Sequence, residues 1–338
     1  MRRAFAPRAT LVLTAGEVGA LDDGALARLL DEAVAAGIGD LVIEIDEVPD
    51  GVVEAVTGRG LRLLIGITCF HEHGEIAFAA DAALRPVGAD GRPRERLEWY
   101  VGLLPTDAVV VAEIVARCAR LAAVPGVSGL VLDFIRWPLH WELELREAGP
   151  RLPLASFDRV TLGDFAARSG SPISHEPATA AAEIADAYRN EWEQYRADTV
   201  TRVVRLIAEV AHVNGVALGA FVLPEGRARV GQDVAAWEGA VDALYPMTYH
   251  AILQRSPAWV GEVVDALEGE SRIRVVPILQ LTASPEFSGG WDWGEEVGGD
   301  ELAEATAVAR ACGAVGFFPG TALSRLVRVR ATEPGVSG

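Results

Sequence analysis

The sequence contains no lysine, so all 30 of its basic residues are arginine. An all-arginine basic set fits a GC-rich genome and assigns no function by itself. Cysteine is scarce. Cys69, Cys118 and Cys312 are odd in number and show no C-x-x-C spacing, which argues against a disulfide framework or a zinc ribbon. Cys118 and Cys312 lie in Ala-rich helical surroundings and read as small core residues. A sustained apolar run is also missing. The opening MRRAFAPRATLVLTAG has no extended apolar region before the first strand, and no later stretch is long and apolar enough to span a bilayer. The expected location is therefore cytoplasmic, with no membrane partner. Positive charge is in deficit, with 30 basic against 48 acidic residues and a net charge of −18. Such a surface repels phosphates and argues against nucleic-acid binding, while a neutral or cationic ligand is compatible with it. The charges are dispersed rather than blocked, as on solvated helix faces.

Half of the 338 residues are apolar, enough for a sizeable core. The chain is organised around GVSGLVLDFIRWP, from Gly126 to Pro138. Leu130, Val131 and Leu132 form a short apolar run that predicts a strand buried on both faces. It ends on Asp133, with Arg136 three residues later, where a buried strand meets solvent. In a parallel α/β fold that end of a strand is where active sites are built.

Seven further runs read as strands. They are Ala9 to Leu13, Leu41 to Ile45, Leu61 to Ile67, Val216 to Val222, Val241 to Met247, Ile273 to Leu279 and Ala314 to Phe318. Helical spacing separates most of them. Asp22 or Asp23 can cap a helix carrying Leu26, Leu29, Leu30 and Val34, and Asp107 caps another carrying Val110, Ile114, Cys118 and Leu121. A long helix is predicted from about Ala182 to Val213, and short ones near Leu162 to Ala167 and Ala235 to Ala240. Eight is the closing number for a parallel barrel. The open doubly wound alternative would carry a Gly-rich phosphate loop after the first strand, and Thr14 to Ala20 lacks the G-x-G-x-x-G spacing. The predicted fold is α/β: a single (β/α)8 TIM barrel over residues 1–330, with a C-terminal tail at 331–338. Long excursions after strands three and four, at 74–105 and 139–180, are expected to act as lids.

Four segments carry a resemblance, in order along the chain. The first is Arg85-Pro-Val-Gly-Ala-Asp-Gly-Arg-Pro93, continuing to Leu104-Pro-Thr-Asp107. The second is Asp133-Phe-Ile-Arg-Trp-Pro138. The third is Ser156-Phe-Asp158 with Phe165 and Gly170, then a long helix with Trp192 and Arg196. The fourth is Gln232-Asp-Val-Ala-Ala-Trp237, then Asp242 and Tyr245-Pro-Met-Thr-Tyr249. Together they resemble the bacterial glycoside-hydrolase-like TIM barrels of glycosyl-hydrolase-like family ten. That resemblance implies a barrel acting on glycosidic bonds, with relatives linked to cell-wall glycans. The chain departs from its secreted relatives in lacking an export signal.

Glycoside hydrolysis needs two carboxyl groups. Asp133 is the first candidate, with Arg136 placed to keep it ionised. The structural alternative is a buried Asp133–Arg136 ion pair closing the barrel rim. For the second carboxyl, Glu225 after the fifth strand is preferred. Glu44, expected on the opposite side of the mouth, and Glu72 are the alternatives. Chitinase-like barrels share Met247-Thr-Tyr249 but place a Glu where this chain has Ile135, which disfavours a chitinase mechanism. Tyr249, His250, His71, Glu44, Arg136 and Gln280 are candidate substrate contacts, and Tyr245 reads as a satisfied core tyrosine. Trp137, Trp291 and Trp293 are candidate stacking platforms. Two other functions stay open. One is a carbohydrate-binding barrel without catalysis; the other is a metal-dependent hydrolase using His71 and His73, with His250 across the mouth. No cofactor is expected, and the expected partner is an oligosaccharide or glycoside.

Overall fold

The computed structural model describes residues 5–71, 86–94, 102–146, 155–284 and 294–326. In chain order the first half runs β1 (Thr10–Leu13), α1 (Ala15–Ala20), α2 (Asp23–Ala35), β2 (Asp40–Glu44), α3 (Val52–Thr57), β3 (Arg62–Thr68), α4 (Ala108–Ala122) and β4 (Val127–Asp133). Three helices α5 (Trp141–Glu144), α6 (Arg159–Ser169) and α7 (Pro177–Ala187) follow, and then α8 (Arg189–Val213). The second half runs β5 (Ala217–Val222), β6 (Ala243–Pro246), α9 (Trp259–Glu270), β7 (Arg274–Val275), β8 (Ile278–Gln280), α10 (Gly299–Ala311) and β9 (Gly316–Phe318).

All strand pairs are parallel, in the order β7-β6-β5-β4-β3-β2-β1-β9-β8. Pro277 lies between β7 and β8 and has no N–H to give to a ladder. The two pieces are one barrel strand interrupted there. β7 pairs with β6, β8 pairs with β9, and a parallel bridge joins Met247 to Ile278. The sheet therefore closes on itself as the α/β TIM barrel that the strand count predicts. Leu11, Leu13, Leu41, Ile43, Leu63, Ile65, Leu130 and Leu132 are all fully buried, as near-continuous apolar strands require.

At the N-terminal end of the strands, Thr10, Asp40 and Arg62 lie in register. Asp40 there accepts from Arg62 Nε at 2.6 Å, Arg62 Nη2 at 2.7 Å and the Arg8 backbone N–H at 2.9 Å. The helix starts follow local side-chain chemistry. Asp22 accepts from Ala25 N at 2.7 Å, and Asp107 accepts from Val109 N and Val110 N at 2.9 and 3.0 Å. Among the described residues no helix is long and apolar enough to cross a membrane.

Three elements differ from the sequence expectation. The long helix over 182–213 is two helices that meet at Tyr188, whose φ of −130° and ψ of 23° leave helical space. Glu176 caps the first of them, with Pro177 at its first position. The excursion 139–180, expected to carry one short helix near Leu162 to Ala167, holds α5 and the longer α6. Asp158 caps α6 by accepting from Thr161 N at 2.8 Å, and Gly170 ends it at a φ of 70°. Ala235 to Trp237 is a single 3-10 turn rather than an α-helix.

Candidate active site at the barrel mouth

Glu44 ends β2 and Asp133 ends β4, with β3 between them. Gly66 of β3 is the register partner of Glu44. A Cβ on Gly66 would sit 2.6 Å from Glu44 Cγ. Its hydrogen therefore leaves the space through which Glu44 crosses β3, and the Glu44 and Asp133 carboxyls hydrogen-bond to each other. The two were expected on opposite sides of the mouth. They meet because the intervening strand carries no side chain at that level.

Two adjacent carboxyls cannot both stay charged cheaply. Burial, then the charge of Asp133 and the hydrogen bond to it, push the Glu44 carboxyl well above the usual carboxylate range. Burial also raises Asp133, but Arg136, the Phe134 N–H and the Glu44 hydrogen bond oppose it. Of the two, Glu44 is the more strongly driven towards its protonated form, and Asp133 has the groups that favour its charged form. Phe134 sits in left-handed backbone space at a φ of 49°, uncommon for a residue with a side chain. That turn aims the Phe134 N–H at Asp133 Oδ1, at 2.7 Å. Arg136 Nη1 lies 3.8 Å from the same oxygen, and its guanidinium covers the Phe134 ring at 4.4 Å.

These groups open into a cavity of 190 Å³. Glu44, Asp133 and a third carboxyl, Glu142 of α5, line it together with Arg136. Trp141, Phe221, Tyr249 and Phe318 supply aromatic walls. Tyr249 stacks on Phe318 at 5.6 Å and packs against Trp141 at 5.7 Å. Burial, then the charges of Asp133, Glu44 and Glu142, hold the Tyr249 hydroxyl well above its ordinary value, so it stays a neutral donor.

Segment 139–146 covers the cavity and is fastened on two sides. Arg94, from the excursion after β3, pairs with Glu144 at 2.8 Å, with both side chains buried. Arg146 Nε donates to the Ile252 carbonyl, beyond β6, at 2.7 Å. Sequence reasoning placed this segment in a lid and did not single out Glu142. Its signal was the run Trp141-Glu-Leu-Glu144, acidic residues alternating with apolar ones just beyond Pro138.

Other candidates lie elsewhere. Glu225 does not reach the cavity. It accepts from Trp259 Nε1 at 2.8 Å and from Arg255 at 3.2 Å, because Pro224 and Gly226 turn it towards α9. His250 is fully buried and lies 3.0 Å from Glu301 of α10 rather than at the mouth. Burial lowers its imidazole, against the pull of Glu301. Gln280 bonds the Ile252 N–H and the Thr282 carbonyl, so it holds loops together below the surface. Trp137 is fully buried and donates to the Arg196 carbonyl at 3.0 Å, which removes it as a stacking platform. His71 meets the Phe134 ring edge-on at 4.7 Å. Tyr245 is a core residue as expected, but its buried hydroxyl has no hydrogen-bond partner. Glu72, His73, Trp291 and Trp293 lie outside the described residues. Among the described residues no group of three His, Cys, Asp or Glu side chains is placed to hold a metal ion. A larger cleft of 690 Å³ lies between α8 and the β5–β6 connection. Its Arg227 and Glu270 pair with each other and its Asp233 caps a turn, so it gathers no comparable chemistry.

No protein-family model matches this sequence, and no curated protein matches it. Solved structures do match in fold. The glycoside hydrolase domain of PgaB (BpsB) from Bordetella bronchiseptica is 12% identical with a TM-score of 0.71, over 96% of this chain and 98% of that one. The glycoside hydrolase domain of PelA from Pseudomonas aeruginosa is 15% identical with a TM-score of 0.51, over 94% and 97%. A beta-galactosidase from the psychrophilic Marinomonas ef1 is 12% identical with a TM-score of 0.67, over 92% of this chain. This chain covers only 54% of that enzyme. At such identities the likeness shows the fold alone: an α/β barrel of the TIM type.

Proposed function

We propose that this chain hydrolyses glycosidic bonds of an oligosaccharide or simpler glycoside in the cavity beneath α5. One observation carries the reading. Two hydrogen-bonded carboxyls, with Glu44 the more strongly raised, stand in an aromatic-walled cavity at the carboxyl ends of the barrel strands. The fold neighbours support the same chemistry, and the four sequence segments support a place near glycosyl-hydrolase-like family ten.

Asp133 carries the negative charge that stabilises or attacks the anomeric carbon as positive charge develops there. Glu44 takes the place first given to Glu225 as its partner carboxyl. Arg136 and the Phe134 N–H keep Asp133 ionised in a buried setting. Tyr249 gives a neutral hydroxyl to a sugar oxygen, and Trp141 packs against the Tyr249 ring and holds it in place. We take residues 1–330 as one barrel domain whose excursions build the substrate approach, and the cytosol as its place of action.

A binding barrel without catalysis is the second reading. It is favoured by the Glu44–Asp133 hydrogen bond, because a retaining pair stands apart, at about 5 Å, with the sugar between. A glycan hydrolysis screen with Asp133→Asn as control separates the two. Release of reducing sugar by the wild type and not by the variant supports hydrolysis. Saturable glycan binding without turnover by either protein supports the binding reading.

A further inference from the structure

We propose that Glu142, coupled to His140, is the general acid of this cavity, and that Glu44 is a positioning residue for Asp133. This rests on the glycosidase reading above. Hydrolysis needs a proton donor set apart from the carboxylate at the anomeric carbon, by about 5–5.5 Å in retaining and 6.5–9.5 Å in inverting enzymes. Glu44 does not meet that condition, because its carboxyl is hydrogen-bonded to Asp133. A glycosidic oxygen has no room between them. Glu142 lines the same cavity and lies near enough to Asp133 and Tyr249 to act on both electrostatically.

Two further features single out Glu142. The residue is only 9% exposed, although it lines the cavity. Its Oε2 also lies 3.2 Å from Nδ1 of His140, which is itself buried. The pair is held firmly. The His140 N–H donates to Glu144 Oε1 at 2.8 Å, Arg94 fixes Glu144, and Trp141 packs against Tyr249.

The step balances as follows. Glu142, as the acid, gives its proton to the glycosidic oxygen as the bond to the anomeric carbon breaks. The bonding electron pair leaves with that oxygen, and the Asp133 carboxylate meets the charge left on carbon. A water then adds to the anomeric carbon, and its proton returns to Glu142, which restores the acid. The charged and titratable groups around the pair are Glu44 and Glu17 from the β1–β2 side, Asp133 and Arg136 after β4, Tyr249 after β6, and Glu144 with Arg94 above.

The test uses the full chain with disaccharides and with activated dinitrophenyl glycosides of the same sugars. Glu142→Gln is expected to slow disaccharide hydrolysis by at least about a hundredfold, with less than about a tenfold effect on the activated glycosides. His140→Gln is expected to slow both substrate classes without the leaving-group selectivity. Glu44→Gln is expected to slow both substrate classes alike. Turnover of the activated glycosides doubles as the check that each variant is folded. If Glu142→Gln loses that too, Glu142→Asp serves instead, and its failure to restore any disaccharide turnover over the Gln variant overturns the assignment. Equal losses on both classes in Glu142→Gln, or selective loss in Glu44→Gln, also overturn it while leaving the glycosidase reading intact. A wild type that turns over neither class overturns that reading, and this assignment with it.

Discussion

The barrel carries a carboxylate and a guanidinium at each end, and the two pairs are built differently. At the N-terminal end, Asp40 receives two bonds from Arg62, at 2.6 and 2.7 Å, and a third from the Arg8 backbone. Its side chain is completely buried and its bonding capacity is used within the fold. At the C-terminal end, Arg136 stands 3.8 Å from Asp133 rather than in a tight fork. Asp133 accepts one backbone N–H, is hydrogen-bonded to Glu44, and keeps 13% of its side-chain surface open to a cavity. The same residue types close the barrel in one place and keep a charge available in the other. A satisfied ion pair points to stability; a buried charge with a second carboxyl beside it and an opening above it points to chemistry.

Each prediction bears on that contrast. Asp133→Asn should lower kcat/KM by about 10⁴-fold, near 5.5 kcal/mol. Its melting temperature should stay within about 3 °C of wild type. Steady-state rates and thermal melts check both, and a large drop in melting temperature would move Asp133 into the class of Asp40. Asp40→Asn should do the reverse, costing about 3–5 kcal/mol in urea denaturation through the broken buried pair. Its kcat should be unchanged, and a catalytic defect without a stability defect would undo the comparison.

Gly66→Ala should cost about 1–3 kcal/mol, because the new methyl meets Glu44 Cγ. It should also depress turnover by displacing Glu44 from Asp133, an effect absent from any matching change at the Asp40 end. The pH dependence is a finer probe. The folded state raises the Glu44 carboxyl, so it favours the protonated form. That contribution is complete below the ordinary glutamate range and is lost as pH rises through the raised folded value. Stability of Glu44→Gln measured against pH should therefore be flatter above pH 4.3 or so than that of the wild type. The smallest effect belongs to Glu225→Gln, with less than about 0.5 kcal/mol on kcat for any leaving group. A selective loss on poor leaving groups there would return Glu225 to the candidate acids.

Much of this was readable beforehand. The apolar run before Asp133 and the polar residues after it marked the end of a buried strand, and strand period against helix period gave the closed barrel. The hexapeptide Asp133 to Pro138 then divides in space. Asp133 and Arg136 enter the cavity, while Trp137 turns away under α8 and bonds the Arg196 carbonyl. Phe157, Phe165, Trp192 and Tyr195 form an aromatic cluster there, with Tyr195 6.2 Å from the Trp137 ring. So several residues that carried the resemblance are scaffold. One-dimensional spacing cannot tell a tryptophan that stacks on a ligand from one that stacks on a neighbour. Glu142 escaped notice for a related reason. A loop acid acquires meaning only when ion pairs from Arg94 and a bond from Arg146 fasten its segment over a distant strand end.

The sequence by itself determined most of the element types, the closing number of strands, the capping aspartates and the place of Asp133, because these depend on local periodicity and local hydrogen bonding. Only the tertiary structure decided which carboxyls meet. A glycine on β3 removes a side chain between β2 and β4, so Glu44 reaches Asp133. A turn after β5 sends Glu225 outward to Trp259. Both outcomes turn on distances of a few ångströms between residues dozens of positions apart. No local property of the chain encodes such a distance.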